Sequence, residues 1–295
     1  MKTKSAMITI AGRPNVGKST LTNYLVGEKI AIVSNKPQTT RNRICGIVTK
    51  GNTQFVFVDT PGYHRARTKL GDYMVNTVRE SIADVDATIL VVEPIASIGQ
   101  QEEGLIEKIK ASRCPAVLAI NKIDTVEKEK LLEVIAVYSQ AASFDAIIPI
   151  SAKTGDGVEA LLAQCEKYAI ASPFLFDEEL TTDQPERQVM AEIIREKILW
   201  NLDREIPHGT AVEITRFSER DNGIIDIDAT IYCEKASHKG IIIGKRGEML
   251  KKISTQARTD CEKFMGTKVY LTTWVKVKEN WRDSDFLVRN FGYND

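Results

Sequence analysis

A chain of 295 residues has length for about two domains. Its 40 basic and 40 acidic side chains cancel, which excludes a polycation that coats nucleic acid along its whole surface. Five cysteines without a C-x-x-C pair, three scattered histidines and no apolar run near the roughly 18 residues of a membrane span argue against a disulfide scaffold, a zinc site and a spanning helix. Cys45, Cys114, Cys165, Cys233 and Cys261 lie mostly in apolar patterns and read as reduced core thiols of a cytosolic protein.

The first element is a short buried strand, Met7-Ile8-Thr9-Ile10-Ala11. Gly12-Arg13-Pro14-Asn15-Val16-Gly17-Lys18-Ser19 follows, a complete G-x-x-x-x-G-K-[ST] loop, and then a helical stretch from Thr20 to Leu25. Strand, glycine loop and helix are the context such a loop needs. Gly12 and Gly17 let successive N–H groups face phosphate oxygens, and the helix N-terminus adds its positive end. Lys18 is placed to reach the β- and γ-phosphates and the Ser19 hydroxyl to take Mg²⁺. The loop starts at residue 12, which is expected to leave no room for a signal or transit peptide.

Three later segments repeat one arrangement, a polar motif behind an apolar run. Asp59-Thr60-Pro61-Gly62 follows Phe55-Val56-Phe57-Val58; Asp59 suits Mg²⁺ and Gly62 permits its N–H to approach a γ-phosphate. Asn121-Lys122-Ile123-Asp124 follows Ala116-Val117-Leu118-Ala119-Ile120, so it sits at a strand's C-terminal edge, where open α/β sheets bind ligands. The Asp124 carboxylate only accepts hydrogen bonds and matches the two N–H donors of guanine's pairing edge. Ser151-Ala152-Lys153 follows Ala146-Ile147-Ile148-Pro149-Ile150 and offers the Ala152 N–H to the guanine carbonyl. The helical pattern from Gly157 to Leu162 closes this domain near Ala169.

Together these residues resemble the translation-factor-related class of small GTPases within the Ras-like superfamily, over about residues 5 to 170. The resemblance implies a doubly wound α/β sheet. It also implies that Pro37-Gln38-Thr39-Thr40-Arg41 is switch I, with Thr40 completing the Mg²⁺ shell and Thr39 the lesser candidate. Switch II begins at Asp59 and runs through Gly62-Tyr63-His64. The catalytic set is then Lys18, Thr40, Gly62 and Asn15. In Ras-like enzymes a Gln after the D-x-x-G glycine orients the attacking water; here Tyr63 stands there, so something else must place the water. Asn15 resembles the loop Asn that in some relatives helps hold a monovalent cation such as K⁺, and its alternative is a plain loop hydrogen-bonder. His64 reads as a polar loop residue rather than a base.

A stretch from Ser172 to Pro185 has no period and two prolines, and residues 171–186 read as a linker between a G domain over 1–170 and a second domain over 187–295. Phe174, Leu175 and Phe176 predict that the linker packs on something. Then come a helix with Met190, Ile193, Ile194 and Ile198 on one face, strands from Thr210 to Phe217 and from Ile225 to Tyr232, a short helix from Ala236, a helix lined by Leu250, Ile253, Ala257 and Phe264, and a last strand marked by Val269, Leu271, Val275 and Val277. Between the two later helices stands Gly244-Lys245-Arg246-Gly247. A G-x-x-G between helices is the KH signature that clamps a nucleic-acid backbone, and the element order resembles the type II KH fold, a smaller α+β domain. From 235 to 252 there are six basic residues (Lys235, Lys239, Lys245, Arg246, Lys251, Lys252) against one acid, Glu248. That local patch suits a short single strand.

A P-loop GTPase with Tyr after D-x-x-G and a C-terminal type II KH domain resembles the Era family, over nearly the whole chain. The stretch from Pro185 to Ile198 is similar to that family's linker-to-helix segment. The resemblance implies a cytoplasmic, monomeric GTPase using GTP/GDP and Mg²⁺, binding the 3′ end of small-subunit ribosomal RNA and assisting assembly of that subunit. A second expectation is a GTPase whose C-terminal domain docks a protein or the inner face of the membrane, with G-x-x-G merely structural. Trp274 and Trp281 are candidates for either surface, with core packing the commoner fate of Trp.

Overall fold

The computed structural model describes every residue except Met1, Pro37, 63–67, Asp84 and 294–295, and the side chains of all described residues but Arg79 and Ala83. Tyr63, His64 and the Pro37 position of switch I therefore lie outside the described residues. The chain divides into two compact units: Met1–Ala31, Thr40–Ala66 and Met74–Asp183 form one, and Ile32–Thr39, Arg67–Tyr73 and Gln184–Asp295 the other.

The elements up to residue 171 run β1 (Lys4–Ala11), α1 (Lys18–Val26), β2 (Ile44–Lys50), β3 (Thr53–Asp59), α2 (Lys69–Ala83), β4 (Ala87–Val92), α3 (Gln100–Ser112), β5 (Ala116–Ile120), α4 (Lys128–Ala141), β6 (Ala146–Pro149), α5 (Val158–Cys165) and β7 (Ile170–Ala171). The sheet order is β2-β3-β1-β4-β5-β6, with β7 added antiparallel to the start of β1. Only β2 and β7 run against the parallel set. Both faces are covered, so the central strands read as unbroken apolar runs. Ala6, Ile8 and Ile10 pack with Leu21 of α1 and Leu161 of α5, while Leu90, Val92, Leu118 and Ile120 pack with α3 and α4 on the other face. This is the expected doubly wound sheet. Because β1 lies between β3 and β4, its C-terminal end is the point where the strand order reverses, the usual ligand crevice.

The stretch read as a linker belongs to the first unit as far as Asp183. Its extended backbone finds partners along the sheet. The Thr3 and Ser5 hydroxyls donate to the Ser172 and Pro173 carbonyls, and the buried Gln54 Oε1 accepts the N–H groups of Leu175 (2.8 Å) and Phe176 (2.9 Å). Phe176 packs against Cys45, Val56 and Val58, so the expectation that this segment packs on something holds.

The remaining elements are α6 (Glu186–Asn201), β8 (Thr210–Glu219), β9 (Ile225–Cys233), α7 (Ala236–Ile243), α8 (Glu248–Met265), β10 (Val269–Val277) and α9 (Asp285–Asn290). The sheet order is β10-β9-β8, with β9 parallel to β10 and antiparallel to β8. The inward rows of β9 and β10 close over Met190, Ile194 and Ile198 of α6 and Ile253, Ala257 and Cys261 of α8. The C-terminal segment was not read as an element from sequence. It folds back so that Trp281, fully buried, donates Nε1–H to the Gly209 carbonyl (3.0 Å) and meets Phe291 edge-on. Trp274 remains 60% exposed. All five cysteines are free thiols, four of them buried. No described helix is long and apolar enough to cross a membrane.

Candidate functional site

The four motifs converge at the C-terminal edge of the first unit's sheet. The loop from Gly12 to Gly17 leaves β1 and ends at α1, whose N-cap Gly17 has φ 102°. A Cβ there would stand 2.2 Å from the Asn121 side chain, and one on Gly12 would stand 2.5 Å from the Val91 carbonyl. Glycine at both positions is a steric requirement, not only a torsional one. Asn15 is exposed with φ 66°, a left-handed conformation that Asn tolerates.

Lys18 is buried and its ammonium donates to the carbonyls of Gly12 and Arg13, each at 3.0 Å. Burial pulls its pKa down to about 8, against the pull of the Asp59 charge. Asp59, at the end of β3, is fully buried, and burial pushes its carboxyl up to about 6 while Lys18, the Ser19 hydroxyl and the Thr60 N–H oppose the rise. Ser19 Oγ lies 2.7 Å from Asp59 Oδ2 and 2.8 Å from Thr40 Oγ1. Asp59 Oδ1 is buried and has no hydrogen-bond partner among the described residues. Three hard oxygens, one an orphaned anionic one, form a donor set that fits Mg²⁺. Thr60 donates its hydroxyl to the Ile10 carbonyl (3.0 Å), and a Cβ on Gly62 would come within 2.8 Å of Pro14. The D-x-x-G segment is thus seated directly on the glycine loop.

Asn121 is a buried brace. Its Nδ2 donates to the Val16 carbonyl (2.7 Å) and its Oδ1 accepts the Ala152 N–H (2.9 Å). The Ala152 N–H, expected at the guanine carbonyl, is therefore engaged by Asn121 here, because a buried N–H takes the nearest acceptor. Asp124 is exposed, with one carboxylate oxygen fixed by the Ser151 hydroxyl (2.7 Å). Lys122 reaches back to the Asn15 carbonyl (2.7 Å), whereas Lys153 is exposed. Arg13 turns its side chain away to Glu93 and to Glu102 (2.9 Å), so what Arg13 offers the loop is its main chain. Val16 is buried, and Pro14 in the loop and Thr20 in α1 are half-buried.

Glu93 is the site residue that sequence reasoning missed. It receives both Arg13 and Lys122 and so ties the phosphate loop to the base-recognition segment. Its signal was present: Glu93 stands directly behind the apolar run Ala87–Val92, the same placing that singles out Asp59 and Asn121.

In the second unit Gly244-Lys245-Arg246-Gly247 forms a tight turn between α7 and α8. Gly244, Arg246 and Gly247 have φ of 74°, 52° and 80°, and a Cβ on Gly244 would come within 2.7 Å of Met249. Lys245 and Arg246 are exposed, as is Lys251 in the first turn of α8, while Lys239 on α7 is half-buried.

A family model described as a 50S ribosome-binding GTPase matches residues 7–122, and a KH-domain model matches residues 205–282. The GTPase Era of Ruminiclostridium cellulolyticum is 51% identical over 293 residues, covering 99% of this chain and 98% of that protein. That of Clostridium kluyveri is 49% identical, covering 98% and 99%. A crystal structure of Era in complex with MgGDPNP and nucleotides 1506–1542 of 16S ribosomal RNA is similar at 35% identity, with a TM-score of 0.95 over 99% of this chain and 100% of that one. A point variant of Aquifex aeolicus Era bound to GDP and AlF4⁻ gives the same identity, TM-score and coverage.

Proposed function

The chain belongs to the Era family of GTPases, and from that premise we propose that it is a Mg²⁺-dependent GTP switch that binds the 3′ end of small-subunit ribosomal RNA and assists assembly of that subunit. The observation that carries the nucleotide part is the meeting of Ser19, Thr40 and Asp59 oxygens beside the buried Lys18. Ser19, Thr40 and Asp59 hold Mg²⁺, and Lys18 and the loop N–H groups meet the phosphates. Gly62 brings its N–H beside the γ-phosphate, and Asp124 reads guanine. Mg²⁺ neutralises charge that builds on the phosphoryl oxygens. The chain's own residues bind, orient and shield the phosphates.

The RNA part rests on the turn at 244–247, whose left-handed backbone leaves Lys245 and Arg246 outward at the head of α8, with Lys239 and Lys251 as flanking cations. A solved relative similar over 99% of this chain is in complex with nucleotides of 16S ribosomal RNA, whereas the 50S label belongs to a family model that matches only residues 7–122. That contrast favours the small subunit. The domains follow as a G domain over 1–170, a joining segment over 171–186 and a KH domain over 187–295, acting as a monomer in the cytoplasm. K⁺ beside Asn15 is part of the same reading, and equal turnover in K⁺ and Na⁺ salts would remove it.

The test is binding of a labelled RNA oligonucleotide ending in the small-subunit 3′ sequence, with a GTP analogue or GDP present. Tight binding that a scrambled oligonucleotide cannot displace supports the proposal. Equal affinity for both sequences, or none, moves the second unit to protein or membrane docking.

A further inference from the structure

We propose that Arg195 and Glu196 are positioning residues for GTP turnover: they clamp the backbone of switch I and so fix the point from which Thr40 departs. The proposal rests on Thr40 as a Mg²⁺ ligand. The clamp itself lies wholly within the second unit, which contains Ile32–Thr39 as well as α6.

The contacts are these. Arg195 is fully buried; its Nη2 donates to the Thr39 carbonyl and its Nη1 lies 3.4 Å from the Gln38 carbonyl, while Nε and Nη2 pair with Glu192. Glu196, also fully buried, accepts the Val33 N–H at 2.9 Å and the Lys197 ammonium at 2.8 Å. Trp200 donates its Nε1–H to the Val33 carbonyl at 2.9 Å. Lys36 is held by the Leu202 carbonyl and Asp203. Main-chain groups at both ends of the segment are thus gripped by one helix.

A fully buried guanidinium is costly unless its donors are matched in a fixed fork. Glu192 supplies the charge partner, yet two donors are aimed at main-chain carbonyls of switch I. Gln38 between them holds φ 57°, a conformation that costs a non-glycine residue free energy and persists only when its surroundings hold it. Thr39 also folds its hydroxyl back to the Lys36 carbonyl at 2.6 Å. One peptide bond after Thr39, Thr40 lies buried with its hydroxyl on Ser19. A loop ordered by γ-phosphate and Mg²⁺ gains from any contact that already favours its ordered state. The clamp therefore acts on the triphosphate form and not on the diphosphate form, for which Thr40 is not required.

The experiment measures affinity for a non-hydrolysable GTP analogue and for GDP, together with turnover, in the full chain and in Arg195→Lys, Glu196→Ala, Glu196→Gln, Trp200→Phe and Thr40→Ala. Lysine keeps the charge but cannot fork. Arg195→Lys and Glu196→Ala are expected to weaken the GTP analogue and slow turnover by roughly ten- to a hundredfold with GDP affinity unchanged. Glu196→Gln, which keeps an acceptor for Val33, is expected to recover most of the loss. In the Thr40→Ala background Arg195→Lys is expected to add nothing. Equal weakening of both nucleotides, additive losses with Thr40→Ala, or parental behaviour of Arg195→Lys would overturn the clamp while leaving Thr40 as ligand. A Thr40→Ala variant with the parental preference for triphosphate would overturn the ligand assignment, and the clamp with it. Should Arg195→Lys fail to fold, Trp200→Phe decides, because it removes one donor from a half-exposed ring; a parental GTP-to-GDP preference there counts against the clamp.

Discussion

Removal of the Asn121 side chain tests whether the phosphate loop and the base-side loop are held as one body. The Asn121 side chain bonds both the Val16 carbonyl and the Ala152 N–H, and all three residues are buried. Asn121→Ala leaves a carbonyl and an N–H without partners in a site closed to water. Each orphaned buried group costs about 1–3 kcal/mol, so the closed arrangement loses about 2–6 kcal/mol. If nucleotide needs that arrangement, the lower figure alone is about a 30-fold loss of affinity. Two measurements separate bracing from direct contact with the base. GDP affinity is read with a fluorescent analogue, and exchange of the Ala152 amide hydrogen is followed in nucleotide-free protein. Asn121→Ala is expected to lose affinity and to speed that exchange. Asn121→Asp, which keeps an acceptor for Ala152 but loses the donor to Val16, is expected to lose affinity while the amide stays protected. Parental exchange at Ala152 in Asn121→Ala, with affinity within threefold of parent, would refute the brace.

Asp124→Asn is expected to weaken GTP and to improve binding of xanthosine triphosphate, since an amide supplies the donor that xanthine's extra carbonyl accepts; a competition assay with unchanged preference rejects the base assignment. Replacing Lys245 and Arg246 together by Asp is expected to abolish binding of the rRNA 3′-end oligonucleotide while GTP affinity and the circular-dichroism spectrum stay parental. Both side chains are exposed, and Asp accepts the left-handed backbone at position 246 at least as well as Arg. Parental RNA affinity in that double variant counts for docking instead. For pH, the Asp59 carboxyl is raised from 3.8 to about 6 by burial, so its contribution to stability is fully present below about pH 4 and lost as pH rises through about 6. Lys18, lowered only to about 8, stays charged across that window. In Mg²⁺-free, nucleotide-free protein the parent is expected to lose up to about 3 kcal/mol relative to Asp59→Asn between pH 4 and 6.5, read from urea unfolding at each pH; parallel curves for the two proteins exclude it.

The sheet and its motifs were legible because the central strands β3, β4 and β5 are buried on both faces and polar motifs stand behind such apolar runs. That pattern is local. Lys18, Ser19, Asp59, Asn121 and Asp124 were found from it, and they meet at the strand ends. The G-x-x-G was legible for a related reason: two glycines at fixed spacing mark a backbone that must take positive φ, and both do. The joining segment has no side-chain period, but its Phe174, Leu175 and Phe176 announced packing, and Phe176 does pack against Cys45, Val56 and Val58. Extended backbone needs no side-chain period to bond to a sheet, and Gln54, more than 120 positions earlier, supplied the acceptor that residues 175 and 176 use.

What stayed hidden is charge pairing across long sequence separations. In α6 the sequence shows one apolar face, Met190, Ile193, Ile194 and Ile198, and its charged residues look like a solvated opposite face. They are not solvated: Arg195, Glu196 and Lys197 are all buried, and their partners lie at residues 33, 38, 39 and 260. No spacing rule connects Arg195 with a carbonyl 156 positions away, because a main-chain carbonyl carries no signature in the sequence. Glu93 illustrates the intermediate case. Its position behind β4 was readable, but its two partners, Arg13 and Lys122, each had a ready reading as phosphate or base contacts. A residue's local pattern tells which end of the sheet it occupies, and only the three-dimensional neighbourhood tells which of two chemically sensible partners it takes. That is why the ligand-facing half of this site was readable from sequence and the half that holds it in place was not.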